Sequence, residues 1–363
     1  PTKVLLDEPL PTRAEMGEIL DRVHSFVPDL PAPTGPARTA ALDALVGLHA
    51  FTGKQVTAMA LTKTGADPEL LWEHKRKAIE ATDGLKVWRG KERLEDLQGL
   101  DNVIAFLRQL MAAEAFGAIV FIDEGEKAFA GGMAEHVGDG GVSKDQVATV
   151  LTYIQDTRSL GVLLAGLAGT GKTQLAKALA AASGKPLIMF DLGGLKGAGG
   201  GIVGQASAAI RNALKVITAT AEGRVLFLMT ANKTVEFSPE LNRRFPDQFF
   251  CDLPDRKGRR SIWDVYIKRS KLTKAQAAIP EGFDDGWTGA EIERVCERAA
   301  MFSTTVTKAA EFLVPSCVSA KDAIADLRRM ASGRFLDARR PGIYRPESAA
   351  PVAAATRTIE VEA

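Results

Sequence analysis

Apolar positions follow two different periods along the chain. Over residues 13–27, Met16, Ile19, Leu20, Val23 and Val27 recur at helical steps. Leu42, Leu45, Val46, Leu48, Val56, Met59 and Leu61 continue that rhythm and predict a short helix pair broken near Gly53. Leu70, Leu71 and Ile79 predict a further helix over 69–81. From residue 101 the pattern alternates. Residues 102–115 are helical in period, but Ala118-Ile119-Val120-Phe121-Ile122 is apolar without interruption, as in a strand covered on both faces. Such runs return at 162–165, 186–190 and 225–229. Helical stretches at 143–158 (capped by Ser143), 172–183 and 207–220 lie between them. Strands alternating with helices predict an α/β fold with a parallel sheet.

Four regions follow: a helical N-terminal domain (1–95), an α/β unit (96–254), a second helical unit (255–340) and a flexible or docking tail (341–363) rich in Ala and Pro. Trp72 and Trp88 in the first region read as packing anchors.

Composition narrows the function. Lys+Arg number 46 and Asp+Glu 45 in 363 residues, a net charge of +1, which excludes a bulk polycation for nucleic acid or membrane. No apolar run nears the roughly 18 residues of a membrane span. The start, Pro1-Thr2-Lys3-Val4-Leu5-Leu6-Asp7-Glu8, has acid where a leader is apolar, so the expectation is a cytoplasmic chain. The three cysteines, Cys251, Cys296 and Cys317, are too few and scattered for a disulfide framework or a zinc site.

Gly166-Leu167-Ala168-Gly169-Thr170-Gly171-Lys172-Thr173 is a complete Walker A phosphate loop, following a predicted strand and opening a predicted helix. Its glycines let backbone N–H groups curl around phosphates, and the helix behind points its positive end at the anion. Lys172 is expected to neutralise phosphate charge and the Thr173 hydroxyl to ligate Mg²⁺. Gly166, Ala168, Gly169, Thr170, Gly171, Lys172, Thr173 and Gln174 are thus the expected contacts to ATP.

Phe121-Ile122-Asp123-Glu124 closes an apolar strand with two acids, a Walker B pattern. Asp123 is the candidate second metal group, and Glu124 the candidate base for an attacking water.

These residues resemble the AAA ATPase family over about 96–335, most closely a cyanobacterial and chloroplast branch whose Walker B also continues Asp-Glu-x-Glu-Lys-Ala-Phe. The resemblance implies roles for further residues. Thr230-Ala231-Asn232 resembles sensor 1, with Asn232 placing the water. Glu240-Leu241-Asn242-Arg243-Arg244-Phe245 resembles the arginine-finger segment. Trp287-Thr288-Gly289-Ala290-Glu291-Ile292 resembles the lid helix start, with Gly289 and Ala290 near the base. It also implies a large α/β subdomain, a helical lid and a ring, a hexamer in the family, with Arg243 or Arg244 acting on a neighbour.

The order departs from the family. Walker B precedes Walker A by about forty residues, and no Walker B follows residues 205–220. The expected sheet keeps the family's neighbours (last strand, phosphate-loop strand, sensor strand, Walker B strand, second strand) with rearranged connections. Both changed crossovers run in the family's own direction, so right-handedness is kept.

Loop 192–204 holds seven glycines and no aromatic, with Leu195 and Lys196 nearest the position where threading relatives grip polypeptide. The loop at 130–142, with Met133 and His136, is also Gly-rich. Three functions remain: an ATPase remodelling an unidentified protein, a nucleic-acid motor, and a scaffold that binds ATP and turns over slowly. The second lacks a basic stripe with interleaved aromatics.

Overall fold

The computed structural model describes residues 10–63, 65–90, 92–129, 144–192, 195, 205–221, 223–233 and 238–346. The described residues open with four helices, α1 Arg13–Ser25, α2 Gly35–Leu45, α3 Ala50–Met59 and α4 Pro68–Glu80, with a two-strand ribbon, β1 Leu61–Thr62 and β2 Gly65–Ala66, before the last. Thr12 and Glu15 form a reciprocal cap that starts α1. The break between α2 and α3 falls at residues 46–49, not near Gly53, which lies inside α3. A Cβ on Gly53 would sit 2.9 Å from Met16 Sδ, so this glycine brings α1 and α3 together rather than ending a helix. Met16, Leu20, Leu45, Val56 and Leu71 form the core of this bundle.

Residues 1–95 are not purely helical. Strand β3, Leu85–Trp88, joins the edge of the main sheet, antiparallel to a later strand. Its buried Leu85 and Val87 flank exposed Lys86, the alternation of a strand with one wet face.

The main sheet then builds in sequence: α5 Asp101–Ala113, β4 Phe116–Ile122, α6 Gly125–Phe129, α7 Lys144–Asp156, β5 Leu160–Gly166, α8 Lys172–Ser183, β6 Leu187–Phe190, α9 Gln205–Ala221, β7 Arg224–Ala231, α10 Pro239–Arg244 and β8 Asp247–Cys251. Its seven strands lie in the order β3-β6-β4-β7-β5-β8-β9, the last being Leu336–Asp337, and all pairs but β3 with β6 are parallel. The central strands are buried on both faces, which is why their sequences are continuous apolar runs. Each Val, Leu or Phe so buried contributes roughly 1.5–3 kcal/mol.

From β8 to β6 this is the neighbour order expected from sequence. The connections β4 to β5 and β6 to β7 each skip a strand in the same direction, and their helices α7 and α9 pack on one face. The connection β5 to β6 runs the other way, and α8 packs with α5 on the opposite face. Opposite directions on opposite faces are what one crossover hand requires.

Helices α11 Arg256–Arg269, α12 Gly289–Met301 and α13 Val306–Ala310 make a separate core around Trp263, Trp287 and Ile292. The helical unit ends before residue 340. After α14 Ser316–Ser319, helix α15 Lys321–Ala331 returns to the sheet, where Leu327, Ala331 and Phe335 join its core. The start of the predicted tail is also docked. Tyr344 is buried, packs its ring at a tilt against Phe250 with centroids 4.5 Å apart, and donates its hydroxyl to Asp252 Oδ2 at 2.7 Å. Residues 347–363, the loop 130–142 with Met133 and His136, Ser143, and Lys196 lie outside the described residues. Leu195 does not suit a grip: it is wholly buried against the sheet edge, beside Gly84.

Candidate active site

Strand β5 delivers the phosphate loop to the carboxyl end of the sheet. Gly166 has φ +149°, and a Cβ there would lie 2.2 Å from Cys251 O, so only glycine lets the loop leave against β8. Gly171 caps α8 in the left-handed region at φ 89°. Within the loop, Thr170 Oγ1 donates to Leu167 O at 2.8 Å. The Lys172 ammonium is buried and donates to Gly166 O at 2.8 Å and Leu167 O at 2.7 Å. Burial holds its pKa below the ordinary lysine value, partly opposed by negative charge at Asp123 and Glu126. Neighbouring Cys251 is fully buried, and its thiol is pushed up to about 12, so it stays neutral.

Strand β4 ends one strand further over, across β7. Asp123 Oδ1 accepts from Thr230 Oγ1 at 2.5 Å, and Glu124 N donates to Thr230 Oγ1 at 3.0 Å. Glu124 has φ 50°, unusual for a residue with a side chain. Its carboxylate meets Lys127 Nζ at 2.5 Å, an exposed pair that raises the lysine's pKa.

One cavity of about 280 Å³ brings the predicted residues together. Its walls include Asp123, Glu124, Ala168, Gly169, Thr170, Gly171, Lys172, Thr173, Gln174, Asn232, Gly289 and Ala290. Gly166 is not on its wall but anchors Lys172 from behind. The lid closes directly on the phosphate loop: Thr288 and Glu291 cap α12 reciprocally, and Ala290 N donates to Gly169 O at 3.3 Å. Arg243 and Arg244 do not line the cavity. Arg244 donates to Gln155, whereas Arg243 is exposed and makes no hydrogen bond or ion pair with the described residues.

The sequence reading missed several wall residues. Asp96, Leu97, Gln98, Gly99 and Leu100, ahead of α5, cover one side, while Ile262, Tyr266 and Glu293 enter from the lid. It also missed Glu126, which is buried and accepts the Asn232 N–H at 3.1 Å. Gly99, between Gln98 and Leu100, was a local signal for the 96–100 turn.

A magnesium nucleotide suits this donor set. An anion would meet a helix N-terminus and a buried ammonium. Among the described residues no group of three or more His, Cys, Asp or Glu gathers as a metal cage. One carboxylate and one hydroxyl are what Mg²⁺ uses when phosphates and water supply its other ligands.

A family model described as "ATPase family associated with various cellular activities (AAA)" matches residues 162–228. Over that stretch the chain is similar to the AAA family of ATPases. Among its relatives, the "Uncharacterized AAA domain-containing protein ycf46" of Guillardia theta is 29% identical over 177 residues, covering 37% of this chain and 34% of that protein. "ATP-dependent zinc metalloprotease FtsH 2" of Bdellovibrio bacteriovorus is 28% identical over 281 residues, covering 62% and 43%. "Mitochondrial inner membrane m-AAA protease component AFG3L1" of Mus musculus is 30% identical over 196 residues, covering 39% and 24%. The chain therefore spans less than half the length of these relatives. The solved FIGL-1 AAA domain in complex with ADP overlaps it at 17% identity and a TM-score of 0.40, covering 70% of this chain and 96% of that one. Among the described residues, no helix is long and apolar enough to cross a membrane.

Proposed function

We propose that this AAA chain hydrolyses ATP·Mg²⁺ at subunit interfaces of a self-assembled ring and uses the cycle to remodel a protein partner. One observation carries the reading: the phosphate loop, the acid pair, Asn232 and the lid helix share a single cavity. Lys172 and the α8 N-terminus bind and orient the phosphates. Thr173 and Asp123 hold Mg²⁺, which neutralises charge on the transferring phosphoryl group. Glu124 takes the proton of a water that Asn232 helps to orient. In this reading the Walker B strand has been transposed ahead of the phosphate loop without changing its neighbours.

Assembly is supported by what the cavity lacks and what the surface carries. Arg243, exposed and without a partner among the described residues, is the arginine suited to reach a neighbour's phosphates, while Arg244 is engaged by Gln155. Met301, Phe302, Phe312 and Val314 leave an apolar surface on the lid that a second copy would cover.

The scaffold reading draws on one contact: Lys127 holds the Glu124 carboxylate, which in that state is not free to act as a base. ATP turnover against protein concentration separates the two. The ATPase reading predicts a rate per subunit that rises with concentration and falls about 10²–10⁴-fold in Glu124→Gln with nucleotide binding retained. Equal inactivity of both proteins, with both binding ATP, would favour the scaffold.

A further inference from the structure

Thr230 is the next-to-last of the wholly buried residues on β7, two positions before Asn232. A buried Thr in a central strand is ordinarily explained by its branched Cβ. Here its hydroxyl is the hub of the acidic turn. It donates to Asp123 Oδ1 at 2.5 Å and accepts the Glu124 N–H at 3.0 Å, a pair of bonds that one hydroxyl can make at once. Asp123 Oδ1 accepts the same N–H at 3.1 Å and closes a triangle.

The triangle has something to hold. Glu124 sits at φ 50°, a conformation that persists only where its surroundings impose it. The turn also lies flat on the end of β7. A Cβ on Gly125 would come 2.4 Å from Met229 Sδ and 3.3 Å from Thr230 O. Beyond this point Glu126 accepts the Asn232 N–H, a second bond tying the turn to the same strand end. The other tether on Glu124, Lys127, is an exposed ion pair and holds weakly.

We propose that Thr230 is a positioning residue for both acids: its hydroxyl aims the Asp123 carboxylate and fixes the backbone that presents Glu124. The inference rests on reading Asp123 as a metal-holding group and Glu124 as the base. It separates the hydroxyl, which does the positioning, from the branched shape, which only fills the strand.

Thr230→Val removes the hydroxyl and keeps the shape; Thr230→Ser does the reverse. Three readouts compare them with the parent chain: exchange of the Glu124 amide followed by NMR, kcat and KM for ATP, and the gain in affinity for a fluorescent ADP on adding Mg²⁺. In Thr230→Val the Glu124 amide exchanges at least about tenfold faster, and kcat and the Mg²⁺ gain each fall about 10–100-fold, while KM and Mg²⁺-free affinity stay within about threefold. Thr230→Ser recovers all three to within about threefold of the parent. A Thr230→Val protein with parental amide protection, or with kcat and Mg²⁺ gain both within about twofold, would overturn the proposal. Should Thr230→Val not fold, Thr230→Ala against Thr230→Ser makes the same comparison. A parent chain that hydrolyses no ATP would sink the ATPase reading, yet amide protection and the Mg²⁺ gain would still decide the role of Thr230.

Discussion

The phosphate loop is eight consecutive residues, 166–173, whereas the acidic turn facing it is completed by Thr230 and Asn232, more than a hundred positions away from Asp123, Glu124 and Glu126. The first is a local object. Its glycines, its lysine and the following helix set one another's geometry, and the rest of the fold has only to support it. The second is a tertiary object, made where the ends of β4 and β7 lie side by side. What a tertiary object needs is a neighbour, not a place in the chain order. A strand can therefore arrive early or late in sequence and still build the same wall of the cavity, provided it enters the sheet in the same slot.

Four perturbations sharpen that contrast. The largest effect is expected where the local object is struck at its centre. Lys172→Ala removes the buried charge and should weaken nucleotide binding about ten- to a hundred-fold, read by titration of a fluorescent nucleotide. Binding unchanged by that substitution would mean that the loop is not where phosphates are held. A smaller, graded effect is expected with pH. Burial lowers the Lys172 pKa, so in the free protein its proton leaves at lower pH than an ordinary lysine's. Affinity should then decline on the alkaline side, beginning at lower pH than an ordinary lysine would dictate, and Lys172→Arg should flatten the decline because a guanidinium keeps its proton.

The third perturbation addresses the C-terminal strap rather than either wall. Tyr344→Phe removes the hydroxyl that donates to Asp252, a residue of the cavity wall, and leaves the ring contact with Phe250. Thermal unfolding should report a loss of about 0.5–1.5 kcal/mol, with ATP turnover nearly unchanged. The smallest effect is chemical. At mildly alkaline pH, alkylation of the native protein should label the partly exposed Cys317 before Cys251, whose thiol is buried and held at about 12. Mass spectrometry of the labelled peptides checks this, and early labelling of Cys251 would show that the β5–β8 seam opens readily.

The same contrast explains what could be read from the residues alone. The phosphate loop was legible because Lys172, Thr173 and the glycines carry their meaning in their spacing. The central strands were legible because burial on both faces leaves only apolar residues at 118–122 and 225–229. Strand β3 was not, because Leu85–Trp88 is a short edge strand whose alternation differs little from surface helix. The return of α15, β9 and Tyr344 to the sheet was hidden because helical period does not say which core a helix joins. Thr230 and Glu126 stood inside motifs that the resemblance marked, but their bonding roles were hidden for a related reason. Each bonds to a group more than a hundred residues away, and nothing local marks a threonine whose hydroxyl, rather than its branch, is in use.

The three junctions that a different chain order would cut lie close together. A Cβ on Gly117, at the start of β4, would fall 1.3 Å from Ala221 O at the end of α9. Arg224, at the start of β7, donates to Arg158 O at 2.8 Å and to Glu114 at 2.5 Å. The ends of α5, α7 and α9 thus meet the starts of β4 and β7 at the amino ends of the central strands. The most direct test of the account is a reordered chain, 1–115, 159–222, 116–158, 223–363, with short glycine-serine joins, assayed for ATP turnover alongside its Glu124→Gln counterpart. If neighbours rather than order build the site, the reordered protein should turn over ATP within about tenfold of the parent and lose that activity in Glu124→Gln. A reordered protein that folds and binds nucleotide but does not hydrolyse it, while the parent does, would contradict the account.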